Sequence, residues 1–391
     1  AQSPCRQTSV PMYTTFNLSD IEITKDQLAK PSMNICIFSM FERNNEVFMI
    51  SMRIFYQCNY ETLDNYKGLN SSRKSIITFI YIPEISKTSA KNDRTTVYCS
   101  SETELLRNFA ERIEQFDIDI LCSYDLVEHD LPFILARMKA NNIKQWTKLG
   151  RHTRNVFPKK DSLLQLITSG RMLLDLKSSF KNLLQIESDT FSSLVQAELE
   201  IDRPILNFDS GSFCFTDQRQ MQELISFNRK DTQFIKKILE NKNVIALSEH
   251  VSRVTGLQWS QIMSESPSPV IESLLLHYLH KKNYILPDKK QKSDKYQFEK
   301  FETKPGFYIK STALISCNFF TAKVIQRKNL CFTSFNQVNL KKSNTIFPNM
   351  VSELLNTLKK LNQVEAETES SQASLYKKTL FADSINVVLK L

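Results

Sequence analysis

Asn34-Ile35-Cys36-Ile37-Phe38-Ser39-Met40-Phe41, and after it Glu46-Val47-Phe48-Met49-Ile50-Ser51-Met52-Arg53-Ile54-Phe55-Tyr56, are the stretches on which the fold is decided. Both are rich in Ile, Phe, Val and Met, and the polar Glu42-Arg43-Asn44-Asn45 lies between them, so the pair reads as a β-hairpin. A third β-like run, Ile76 to Ile82, stops at Pro83, and a Ser, Lys and Asn rich loop leads to Arg94. Ser101 stands three residues before Glu104, the pattern of a capping box. Leu105, Phe109, Ile113 and Phe116 fall on one face of the helix it starts. A short buried strand, Ile118 to Cys122, comes next. A helix from Leu131 to Ala140 follows, with Leu131, Ile134, Leu135 and Met138 inward. Met172 to Leu176 supplies another strand, and helical segments include Gln218 to Glu240 and Ile271 to Lys282. A meander followed by strand, helix, strand and helix predicts an α/β domain with a mixed sheet, of ribonuclease H type.

Towards the C-terminus the pattern changes. Asp288 to Lys304 is dominated by Lys, Asp, Glu and Gln and reads as a charged linker. Gly306 to Phe335 reads as two short strands around Ile325, and Val351 to Val364 has the Leu354, Leu355, Leu358, Leu361 spacing of a helix.

With 391 residues the chain has room for two or three cores. Apolar residues make up 41% and charged residues 24%, ordinary usage for a globular protein. The longest apolar runs are too short to span a bilayer, and Ala1 to Val10 lack the pattern of a secretory signal, so an intracellular protein with no membrane partner is expected. The eight cysteines include no Cys-x-x-Cys pair and read as reduced core thiols, with no structural zinc. An excess of 51 basic over 42 acidic residues, net +9, favours a polyanionic partner such as nucleic acid, although a solvated basic surface gives the same count. With only six glycines, neither a Walker-type loop nor a Gly-x-Gly-x-x-Gly run is present.

Several segments carry a family resemblance. Gln145-Trp146-Thr147-Lys148-Leu149-Gly150-Arg151, Gly170-Arg171-Met172-Leu173-Leu174-Asp175, and Leu274-Leu275-Leu276-His277 with Asn283-Tyr284-Ile285-Leu286-Pro287-Asp288-Lys289 resemble, in wording and spacing, the catalytic subunits of polymerase alpha among the family B DNA polymerases. Gly306-Phe307-Tyr308 and Asn329-Leu330-Cys331-Phe332-Thr333 bracket the region where that family keeps its first polymerase motif. The resemblance implies a remnant of an N-terminal domain at 1–33, an exonuclease-like domain at 34–260 and an incomplete palm and fingers region at 261–391, with the charged linker at 288–304. It also implies a nuclear protein of DNA replication that acts in lagging-strand initiation on DNA or an RNA–DNA primer–template, with primase and replisome subunits as partners.

Family B exonucleases hold two divalent ions with four carboxylates, because a metal-bound water attacks while a second ion stabilises the leaving oxygen. Asp20-Ile21-Glu22 has the spelling of the first motif but precedes the strand pair and reads as a decoy. The segment in the motif's place is Phe38-Ser39-Met40-Phe41, which puts Ser39 and Phe41 at the two carboxylate positions. Asp130 and Asp231 fall at the second and third motifs. On that count an exonuclease reaction is not expected, and the plain reading of Asp130 and Asp231 is a helix cap and a solvated helix carboxylate. Nucleotidyl transfer needs a further pair of palm aspartates. Ser316 stands at the first of these, with Thr321 and Ala322 where the family has tyrosine and proline. The fingers motif is matched only faintly by Lys378 and Ala382 to Ile385, and the final motif would lie past Leu391. The chain therefore reads as a divergent, truncated member, itself catalytically inactive, with no cofactor beyond a Mg2+ whose ligands are mostly absent.

Two other groups invite chemistry. Arg137, Lys139, Lys144, Lys148, Arg151, Arg154, Lys159 and Lys160 occur with Trp146 and without an acidic residue among them, which suits a phosphate backbone and a stacked base. A solvated face with Trp146 in the core fits the same residues. His277 and His280 have a chelating spacing but no third ligand. Two further readings stand beside the inactive subunit: a fragment of an active polymerase, and a non-enzymatic docking module of the replisome.

Overall fold

The computed structural model describes residues 32–58, 74–82, 95–152, 157, 167–179, 190–204, 218–264, 267–285, 306, 320–331 and 345–367. In β1 (Met33–Arg43), Ile35 and Ile37 enter one apolar cluster and Cys36 and Phe38 another, and all four are buried. A strand covered on both faces has no polar alternation, hence the unbroken apolar run in the sequence. β1 pairs antiparallel with β2 (Glu46–Cys58) through a turn at Asn44 and Asn45, whose φ values of 52° and 58° lie in the left-handed region that asparagine tolerates. The expected polar separator shrinks to these two residues, because Glu42 and Arg43 belong to β1 and pair with Val47 and Glu46.

β3 (Lys74–Tyr81) pairs antiparallel with β2, and β4 (Thr96–Cys99) lies parallel to β3 at the edge. β4 was not expected: four residues show no legible period. On the other side of β1, β5 (Ile120–Ser123) and β6 (Met172–Asp175) add in parallel, giving the mixed order β4-β3-β2-β1-β5-β6. The α/β class and the mixed sheet are as predicted.

Two helices cover one face. In α1 (Glu102–Gln115) the Ser101 hydroxyl accepts the Glu104 N–H at 3.2 Å, while the Glu104 carboxylate accepts the Ser100 N–H at 2.7 Å, one residue before the position a capping box would use. Its Leu105, Phe109 and Ile113 are buried, each stabilising by about 2 kcal/mol, and Phe109 lies 5.3 Å from Phe38. α2 (Leu131–Ala140) buries the four residues expected of it.

The opposite face carries α3 (Phe191–Leu199), α4 (Gln218–Asn241), α5 (Val244–Thr255), α6 (Trp259–Ser264), α7 (Pro267–Lys281), α8 (Phe320–Lys328) and α9 (Ile346–Glu367). One apolar cluster runs from Ile35, Phe55 and Leu174 through Ile238, Val251 and Met263 to Leu274, Ala322 and Leu354. The expected domain change between 260 and 261 falls inside α6, which packs on β6.

The two strands expected around Ile325 are corrected where the structure describes them: Phe320–Lys328 is α8, and 307–319 and 332–335 lie outside the described residues. Buried Ala322 and the half-buried Ile325 join the same cluster at helical spacing, whereas Val324 and Ile325 had suggested a strand. α9 starts at Ile346, earlier than the leucine spacing indicated, and buries Leu354 and Leu355. The expectations for 1–31 and for the linker at 288–304 lie outside the described residues.

Two features position the site. Ser39, Ser51, Thr78 and Thr96 occupy one register row across β1 to β4 on the face covered by α4. The described cysteines, Cys36, Cys58, Cys99, Cys122 and Cys331, are buried, and burial pushes the Cys36 and Cys122 thiols up.

Candidate functional site

α4 is keyed to the hydroxyl row by side chains rather than by apolar contact alone. Arg229 donates from Nε to Thr78 Oγ1 at 2.8 Å, and from Nη2 to the Thr95 carbonyl at 2.8 Å and Thr96 Oγ1 at 2.9 Å. Arg53 on β2 donates to Thr232 Oγ1 at 3.2 Å and to the Arg229 carbonyl at 3.3 Å. Ser39 takes part through Asn228, whose Nδ2 lies 3.5 Å from its hydroxyl oxygen. At this position stands a neutral, half-buried hydroxyl.

The remaining positions are occupied as follows. Phe41 is buried between Phe48 and Phe227, with ring centroids 6.2 Å away in both cases. Asp231, which the sequence suggested is a solvated carboxylate, is only 1% exposed. Arg203 grips it with a bidentate fork, Nε to Oδ1 and Nη2 to Oδ2, both 2.8 Å. Burial pushes the Asp231 carboxyl up from the ordinary carboxylate range, and the Arg203 hydrogen bonds and charge pull it back.

Asp130 closes a single wide turn, Leu126–Asp130, that leads into α2. It holds the N-cap position but does not cap: its carboxylate bonds the Ser123 hydroxyl and lies 3.3 Å from His129 Nδ1. His129 Nε2 stands 3.6 Å from Glu42 at the end of β1. Its imidazole is raised above its ordinary value, first by the Asp130 hydrogen bond and further by the Asp130, Glu42 and Asp125 charges, against a lowering by burial. The nearby carboxylates are partly committed, although Asp125 Oδ1 and Glu42 Oε2 are buried without a hydrogen-bond partner among the described residues. Lys177 Nζ binds Asp125 at 2.7 Å and Glu128 at 3.1 Å, and Asp175 accepts the Val127 and Ser178 N–H groups at 2.8 and 2.9 Å.

The two divalent ions implied by the family's chemistry do not fit this donor set. A hydroxyl and a phenyl ring stand at the strand positions, Asp231 is spent on a guanidinium, and Asp130 is spent on Ser123 and His129. Among the described residues no three His, Cys, Asp or Glu side chains converge to hold a metal ion. His277 accounts for itself otherwise: its Nδ1 lies 2.8 Å from the Ser273 carbonyl, and a Cβ on Gly256 would come within 2.4 Å of its Cε1. Ser316 is outside the described residues.

The basic stretch looks different in three dimensions. Arg137 is paired with Glu102 at 2.7 Å and Lys148 with Glu114 at 2.9 Å, while Arg151 binds both Asp117 and Asp119. Trp146 is 8% exposed and meets Phe157 edge-on at 5.1 Å, so it cannot stack on a base. Lys139 lies 5.6 Å over the Phe157 ring and Lys144 is exposed. Arg154, Lys159 and Lys160 are outside the described residues. As a nucleic-acid contact the stretch is corrected to this extent: its aromatic ring belongs to the core, and Arg137 and Arg151 are paired with carboxylates of α1 and the turn after it.

The Gly-Arg words have a structural account. A Cβ on Gly150 would lie 2.1 Å from the Ile167 carbonyl oxygen, and Gly170 has φ +85° with Arg151 against it. The close approach lets Arg151 reach the Gly170 carbonyl at 2.8 Å, and Arg171 reaches the Ile118 carbonyl. Sequence reasoning missed Arg203, Asn228 and Phe227. Phe227 and Asn228 lie in the stretch Phe227 to Asp231 that ends at the third-motif aspartate, but Arg203, in Ile201-Asp202-Arg203-Pro204, carried no local signal.

Residues 6–194 match the exonuclease domain of DNA polymerase family B, and residues 257–387 match the DNA polymerase family B domain. The chain therefore belongs to the family B DNA polymerases, with an exonuclease domain followed by part of a polymerase domain. The relatives it matches are catalytic subunits of DNA polymerase alpha. That of Sterkiella nova is 25% identical over 92% of this chain and 27% of that protein. Those of Dictyostelium discoideum and Mus musculus are each 27% identical, over 75% and 64% of this chain and 21% and 19% of those proteins. The chain spans about a quarter of the length of the curated relatives it matches.

Proposed function

We propose that this chain is a polymerase alpha-type replication subunit of the nucleus, acting in lagging-strand initiation, whose exonuclease-like domain supports the polymerase region and does not hydrolyse DNA. The observation that carries this reading is the Arg203 fork on Asp231: the guanidinium engages both oxygens and offsets the charge of a carboxylate that is only 1% exposed, which leaves no open approach for a hydrated metal ion. Ser39 and Phe41 at the strand positions, and Ser316 at the palm position, support it further. The partners are DNA or an RNA–DNA primer–template, together with primase and replisome subunits. The net charge of +9 is consistent with a polyanionic ligand.

The test is a 5′-labelled single strand incubated with the full chain in Mg2+ and then Mn2+, followed by extension of a 5′-labelled primer on a template with all four deoxynucleotides. No shortening and no extension are expected. Shortening that is lost in Asp231→Asn would overturn the inactive reading. The pairing of Arg137, Lys148 and Arg151 with carboxylates favours a second reading, in which the exonuclease-like domain docks other replication proteins. A steep loss of DNA affinity with salt supports the first reading, and a flat, weak response supports the second.

A further inference from the structure

Arg203 stands in the middle of a row of mutually tilted aromatic rings. Its guanidinium lies 4.9 Å from the Phe191 ring and 5.0 Å from the Phe227 ring. Beyond Phe191 comes Tyr124 at 4.9 Å, and beyond Phe227 come Phe41 and then Phe48. The third guanidinium nitrogen, Nη1, donates to Ser192 Oγ at 3.0 Å, so all three of its nitrogens are engaged. The members come from β1, β2, α3, α4, the residue after β5 and the segment after α3. Phe41, at a position where the family resemblance implies a carboxylate, is thus joined through a single ring, Phe227, to the cation that binds the surviving carboxylate Asp231.

We infer that Arg203 is a resident counter-ion, supplying at Asp231 the positive charge a divalent ion would bring, and that the row of rings around it ties α4 to the sheet in place of metal coordination. A carboxylate this deeply buried cannot stand bare. The planar fork matches both its oxygens, and the two rings within 5.0 Å of it favour a guanidinium over a compact ammonium. An ion would have to displace that fork and then find oxygen ligands where the Phe41 ring stands. The inference rests on the reading that this centre does not hydrolyse DNA, and it assigns the residues a different task.

Thermal unfolding of the full chain tests it, with Arg203→Leu, Asp231→Asn and the double variant. Arg203→Leu leaves a buried carboxylate unpaired and is expected to lower the midpoint by about 10 °C. Adding Asp231→Asn should return at least half of that loss, because the stranded charge is gone. If Arg203→Leu does not fold, Arg203→Lys with and without Asp231→Asn reads the same coupling. Mn2+ against EDTA should leave the wild-type midpoint unchanged. Additive losses would overturn the inference, as would a wild-type midpoint that rises by several degrees in Mn2+ and returns in EDTA. Strand shortening by the wild-type chain would remove the reading under it while leaving the coupling measurable. Additive losses without shortening would remove this inference alone.

Discussion

At Glu102 one buried carboxylate serves three elements. It accepts the Val47 N–H at 2.9 Å from β2, the Arg137 fork at 2.9 and 2.7 Å from α2, and the Asn141 amide at 2.8 Å. Burial alone would raise its pKa, but these bonds together hold it below the usual carboxylate value. The sign follows from linkage. With the folded pKa below the unfolded value of about 4.3, the stabilisation is complete above that pH and is lost as pH falls through the lower folded value. Glu102→Gln should therefore cost about 2 kcal/mol at neutral pH and flatten the acid limb of a stability profile measured by urea titration. The same site shows why the basic stretch misled. Arg137 lies 35 residues from Glu102, so a window that counts only neighbours along the chain sees charge without its partner. Nor could the Arg203–Asp231 fork, 28 residues apart, be read from spacing.

Among the elements, legibility followed length and period. α2 could be read residue by residue because its four apolar positions repeat at helical spacing and it packs on one side only. β4 gave too few residues, and α8 was hidden by a β-branched pair on a short helix. The hairpin was legible from its flanks, but its turn depends on backbone sign. At Asn45, with φ 58°, alanine should cost about 1 kcal/mol while glycine is tolerated, measured as a shift in urea midpoint. Gly150 has no such latitude: Gly150→Ala drives a methyl into the Ile167 carbonyl and should cost about 3 kcal/mol in the same assay.

For the molecule as a whole, the cluster that runs from β1 to α9 couples the exonuclease-domain sheet to helices of the polymerase-domain portion. Leu274→Ala on α7 should cost about 3 kcal/mol. In a Trp259→Phe background the loss should appear undiminished in the fluorescence of Trp146, which sits in the cluster on the far face of the sheet. A Trp146 transition left in place would show that the two parts melt separately. The buried thiols give such melting a clock. Cys36 and Cys122 sit on adjacent strands at the centre of the sheet with their thiols held protonated, so alkylation at either must wait for those strands to part. Read one cysteine at a time by mass spectrometry, the labelling rates would date the opening of the sheet's interior without any added probe.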